Sequence, residues 1–185
     1  AYLKQLTSIE IIEQADTKVA QAKKYIGVPY ARRYHQPGDP DYDAPLFLDC
    51  CALIRRALDD LQEDFGFRCG RWNQCYQWDC LPIERKFEEM KPGDLVFYTG
   101  TYYNEKAKKQ KYDMVHVGIY LGLEGGGTTP ESTLGARIQK GHCKIFDSYK
   151  FTSKNYYDIK CHFRSIDTWL EGTCRPHINP EWWPN

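Results

Sequence analysis

LDCCALIRRAL, residues 48–58, reads as the start of a helix with a thiol in its first turn. Asp49 carries the short oxygen-bearing side chain that caps a helix N-terminus, and Ile54, Leu58, Leu61 and Phe65 recur at the spacing of one buried face, up to a closing Gly66. Cys50 then lies against unpaired backbone N–H groups and the positive end of the helix dipole, both of which favour a thiolate. This matters because only the thiolate attacks carbonyl carbon, and an ordinary thiol with a pKa near ~8.5 is mostly protonated at neutral pH. The same N–H groups can hold the oxyanion that the attack creates, a contribution of roughly 3 kcal/mol per donor.

Working outward, the spacing of Ile12, Ala15, Val19, Ala22 and Ile26 predicts an amphipathic helix over 7–26, with Thr7 and Glu10 as a capping pair and Gly27 and Pro29 ending it. Pro29 to Pro45 is turn-rich and predicts a long loop. After Gly66, residues 67–81 read as an aromatic, cysteine-rich connection. Lys91-Pro92-Gly93-Asp94 has the Pro-Gly order of a type II turn and leads into a strand over 95–98. A polar hairpin connection, TYYNEKAKKQKYD, precedes the clearest strand, 115–121, with further strands over 134–138 and 144–149. On that clearest strand Val115, Val117, Ile119 and Leu121 share one face, and His116, Gly118 and Tyr120 the other. Helices followed by an antiparallel sheet predict an α+β fold. His116, on a rigid strand and facing away from the aliphatic stripe, is the candidate base for Cys50, since imidazole titrates near neutrality.

The chain's 185 residues suit a single domain, with 170–185 as a C-terminal tail. Lys and Arg together number 25, as do Asp and Glu, so the overall field gives no reason to expect nucleic acid. No apolar run approaches the ~20 residues of a membrane span. None of the eight cysteines falls in the CxxC spacing of zinc or redox motifs, so neither a metal nor another cofactor is expected. With Cys50 set aside, seven remain and cannot all pair within one chain.

LDCCALIRRAL, KPGDLVFY and VHVGIYLG, in this order and after YIGVPY, resemble the signature blocks of the NlpC/P60 family of papain-like cysteine peptidases. The matching region runs from about Tyr25 to about Leu121. The resemblance implies a papain-like core of N-terminal helices on an antiparallel sheet, with Cys50 as nucleophile and His116 as base. It implies cleavage of amide bonds in the stem peptides of bacterial peptidoglycan; the compartment is not written in the sequence, a substrate of that kind favours one outside the cytosol, and a monomer is expected. It also implies that Tyr30 lends its hydroxyl near the oxyanion and that Asp49 helps recognise a substrate amine. This chain has Cys51-Ala52 where the family commonly has Ser-Gly, which puts Cys51 at a substrate-contacting position. The preceding loop is long and carries Arg32, Arg33 and His35. The family's third catalytic residue lies on the strand after the base, where the nearest match is Gly135; Gln139 is the chosen acceptor for the second ring proton of His116, with His142 the alternative.

Three functions remain on the sequence alone: a peptidoglycan endopeptidase or amidase, a thiol acyltransferase or amidase on another substrate, and a silent binding module. Lys106 to Lys111 reads as a solvated loop and Trp182 and Trp183 as a covered core edge. Cys51, about 100° round the helix from Cys50, reads as a separately buried thiol.

Overall fold

A computed structural model describes residues 8–32, 38 and 46–178. The elements are α1 (Ser8–Lys23), α2 (Cys50–Asp60), α3 (Gln62–Phe65), α4 (Gln74–Asp79), β1 (Glu84–Arg85), β2 (Leu95–Tyr102), β3 (Met114–Tyr120), β4 (Thr133–Ala136), β5 (Cys143–Phe146), β6 (Tyr156–Arg164) and α5 (Asp167–Leu170). The strands form one sheet in the order β1-β6-β2-β3-β4-β5, every neighbouring pair antiparallel. The α+β expectation therefore holds.

Two apolar clusters sit on the two faces of this sheet. One joins Val19 and Ala22 of α1 and Leu53, Ile54, Ala57 and Leu58 of α2 to Leu95, Phe97, Val117, Ile119 and Leu121. The other is aromatic, built from Val96, Tyr98, Val115, Tyr120, Tyr149 and Tyr156. Val115 thus packs opposite to Val117, against the expected stripe. The cause is a register shift between Tyr98 and Thr99: Tyr98 faces His116 but Thr99 faces Met114, so Val115 is an extra residue that inverts the alternation.

The Pro-Gly turn ties the layers together. Asp94 N–H donates to Lys91 O at 3.0 Å and Gly93 has φ 96°, as a type II turn requires. A Cβ on Gly93 would also stand 3.2 Å from Ile166 Cδ1. The buried Asp94 carboxylate accepts from Lys91 N and Ile166 N and pairs with Arg85 Nε at 3.0 Å. From the helical layer, fully buried Lys18 donates to Gly93 O at 3.0 Å, and burial lowers its pKa to about 7.

Other expectations need correction. Ile26 lies beyond the end of α1 and is largely exposed. The second helix breaks at Leu61, whose N–H turns back to Leu58 O, and resumes as α3 before Gly66 takes the left-handed cap. The connection 67–81 contains α4, capped by Asn73. The strands after β3 begin and end earlier than predicted, at Thr133–Ala136 and Cys143–Phe146. β6, which pairs with β2 along its whole length, had no counterpart in the sequence reading. Residues 104–109 are mostly exposed, as a solvated loop should be. Thr7, Arg33, His35, Trp182 and Trp183 lie outside the described residues, as does the side chain of Glu10. Before that point the C-terminal segment is held: His177 N–H donates to Asp79 O and Ile178 N–H to Asp79 Oδ1, both at 2.7 Å.

Candidate active site

The predicted cap forms: Asp49 is extended and its Oδ1 accepts from Ala52 N at 2.9 Å. Cys50 is therefore the first helical residue of α2. Its sulfur meets β3 where that strand is open. The β3–β4 ladder holds only Ile119 to Leu134 and Tyr120 to Thr133, so the Val117 N–H is available and bonds to the Cys50 sulfur. His116 hydrogen-bonds to the same sulfur. Sequence-distant residues predicted as nucleophile and base are thus brought together, both nearly buried, at 8% and 6% exposure.

Charge settles on Cys50. Its pKa is held well below that of an ordinary thiol, first by a hydrogen bond from Cys51 and then, against burial, by the charge and hydrogen bond of His116 and by Val117 N–H. The one S–H proton of Cys51 also has Asp49 Oδ1 as an acceptor at 3.3 Å, so the two acceptors compete. The contribution of His116 and Val117 does not depend on which one wins. Cys51 is itself pushed well above the thiol range, chiefly by bonding to Cys50 and by burial, and remains a thiol. It is buried as expected, yet it contacts both Asp49 and Cys50 rather than standing apart.

The imidazole is held by packing. Its ring centroid lies 5.1 Å from that of Tyr98 and 5.4 Å from that of Phe151, the latter edge-on. Tyr98 is fixed by its hydroxyl, which donates to Tyr149 O at 2.7 Å. The Arg137 guanidinium lies 4.1 Å from the Phe151 centroid and donates to Ser148 O. The nearest match to the family's third position, Gly135, brings no side chain, and a Cβ there would meet only Gly118 Cα, at 3.9 Å. Gln139 lies in a short 3-10 turn, Ile138–Lys140, and its side chain is outside the described residues. His142 is exposed and bridges to Pro29 at the sheet edge.

That edge brings Tyr30 to the thiol. Gly27 N–H donates to Cys143 O, Cys143 N–H to Val28 O and Tyr30 N–H to Gly141 O, so 27–30 runs as an added strand beside β5. Leu48 N–H then donates to Pro29 O, returning the chain to the same place just ahead of Cys50. Tyr30 is pushed up to about 12 by burial and then by the charge on Cys50, so its hydroxyl keeps its proton; it also accepts from Arg32 Nε at 3.4 Å.

Two residues of α4 support this site without having been anticipated. Buried Gln77 donates to Cys51 O, and Gln74 donates to Met114 O, each at 2.9 Å. They brace the first turn of α2 and the start of β3. The sequence signal for them is the Asn73 cap, whose Oδ1 accepts from Cys75 N at 3.0 Å.

No protein-family model and no curated protein matches the sequence. Solved structures are similar. RipB, a peptidoglycan hydrolase of Mycobacterium tuberculosis, aligns with 89% of this chain and 70% of its own at 18% identity and a TM-score of 0.53. A lipoprotein-like NLP/P60 family protein of Staphylococcus aureus aligns with 83% of this chain at 24% identity and a TM-score of 0.51, and NlpC2 of Trichomonas vaginalis with 89% at 16% and 0.54. The chain spans only 41% and 49% of the lengths of those two. The fold is that of the NlpC/P60 proteins, as the three sequence blocks implied.

Proposed function

We propose that this chain is one catalytic domain, a cysteine hydrolase that cleaves amide bonds in the stem peptides of bacterial peptidoglycan. The observation that carries this reading is a thiol of lowered pKa at a helix N-terminus, hydrogen-bonded to an imidazole, within an NlpC/P60 fold. Cys50 attacks the amide carbonyl as thiolate, and the electron pair moves to the carbonyl oxygen. Ala52 N–H is already committed to Asp49 Oδ1 and Leu53 N–H to Asp49 O, so the N–H groups of Cys50 and Cys51, with the Tyr30 hydroxyl, are the proposed oxyanion donors. His116 gives its proton to the leaving amine, which leaves a thioester on Cys50. His116 then takes a proton from water, and the hydroxide so formed releases the acid and restores the thiolate. Gln139 is the proposed acceptor for the second ring proton of His116, and Asp49 and Cys51 border the position of the substrate amine.

Digestion of purified peptidoglycan, followed by mass spectrometry of released fragments, tests this. The intact protein is expected to release stem-peptide fragments and Cys50→Ala none. Identical release by both, or by neither, contradicts the proposal.

A further inference from the structure

A cavity of about 710 Å³ opens between the far end of β2, the 103–113 connection and the start of β6. Its volume is within the range of small-molecule sites, ~300–1,000 Å³. Tyr102 forms part of its wall, and its pKa is raised by burial and then, against Arg32, by the charge of Cys50. Tyr103 and Tyr157 line it with their ring centroids 4.9 Å apart, yet they are 60% and 41% exposed. Two adjoining aromatic rings left open to solvent are a platform for a ligand with a flat apolar face. Glu105 and Asp113 stand with Lys109, which gives hydrogen-bonding groups of both kinds and little net charge.

The backbone around this cavity is held in an unusual way. Among the described residues, three that are not glycine have left-handed φ: Tyr112 (59°), Asp113 (54°) and Asp158 (52°). Two belong to the 103–113 connection, where Asp113 lines the cavity, and the third follows Tyr157, which lines it too. Non-glycine residues adopt this conformation uncommonly, Asp more readily than Tyr, and strained positions of this kind gather at ligand sites. The connection is tied to the helical layer: Gln110 Oε1 accepts from Nδ2 of Asn73, the cap of α4, at 2.9 Å. The cavity and the first turn of α2 are thereby braced by the same helix.

We propose that this cavity is a carbohydrate subsite that takes a neutral pyranose of the N-acetylhexosamine class, its C–H face on Tyr103 and Tyr157 and its hydroxyls toward the charged rim. The choice of sugar rests on the hydrolase reading above, since a stem peptide still joined to its glycan carries such a ring beside the scissile region. The two ideas can fail separately. The β-1,4-linked disaccharide of N-acetylglucosamine is titrated into the Cys50→Ala protein and followed by tyrosine fluorescence and NMR. Saturable binding is expected, weakened at least about 10-fold by Tyr103→Ala and by Tyr157→Ala and retained by Tyr103→Phe, which keeps the ring. No saturable binding, or binding that both alanine variants leave unchanged, overturns the subsite even if peptidoglycan is cleaved. Conversely, binding in a protein whose Cys50 form digests nothing leaves the subsite standing and removes the hydrolase.

Discussion

Two groups of thiols in this molecule hold a sulfur below its ordinary pKa, and they differ in what surrounds it. At the N-terminus of α2, Cys50 is stabilised by Cys51, His116 and Val117 N–H. Beneath the C-terminal segment, Cys174 is stabilised by hydrogen bonds from Cys69 and Cys80, then by Tyr76, whose Oη lies 3.5 Å from its sulfur. All eight cysteines are free, and among the described residues no group of three His, Cys, Asp or Glu is set out to hold a metal ion. The donors around Cys174 are neutral groups that keep their protons, Cys69 and Cys80 being pushed well up by bonding to Cys174 and by burial. They stabilise an anion but cannot carry a proton to a leaving amine and take one back from water near neutral pH. The lesson is that a lowered thiol pKa makes a nucleophile, whereas turnover needs an imidazole within reach of it.

The largest effect that would sharpen this contrast is on activity. Cys50→Ala should reduce peptidoglycan hydrolysis to background, and Cys174→Ala should change kcat/KM less than about 2-fold; equal losses would break the comparison. His116→Ala should lower kcat by about 10² to 10⁴, the usual share of a general base, with a smaller change in KM. Gln77→Leu removes the donor to Cys51 O from a buried site and should lower kcat about 10-fold while the fold, followed by circular dichroism, is retained. The smallest effect is on stability. Cys174→Ala removes the acceptor shared by Cys69 and Cys80 and should lower the denaturant midpoint by an amount equivalent to about 1 kcal/mol, with activity unaffected.

What the sequence made legible follows the same division. Asp49, Cys50 and His116 were readable because a cap, a helix face and a strand alternation are local patterns, and the Lys91–Asp94 turn was readable from its Pro-Gly order. α4 was hidden because its six residues are too short for a periodic signal and its role rests on Gln74 and Gln77, which look like ordinary surface residues until they are found buried. β6 was hidden because its sequence, YYDIKCHFR, mixes charged and aromatic residues and it gains strand character from its long pairing with β2. The face of Val115 was misread because a bulge is set by the register of two strands, which one strand does not reveal. The cluster of Cys69, Cys80 and Cys174 joins the C-terminal segment to residues about 100 positions earlier in sequence, a distance no local pattern reports.

The central claim is that the Cys50 sulfur is held as a thiolate by Cys51 and by His116, of which His116 supplies the charge. Its most direct test is the rate of alkylation of Cys50 against pH, resolved by peptide mass spectrometry, in the intact protein and in His116→Ala. Because the pKa is depressed, the thiolate persists as pH falls, so the rate should stay level through neutrality and decline only well below the pKa of an ordinary thiol. In His116→Ala the midpoint should rise, while that of Cys174 stays where it was. A Cys50 that titrates like free cysteine, or whose midpoint is the same with and without His116, would contradict the account.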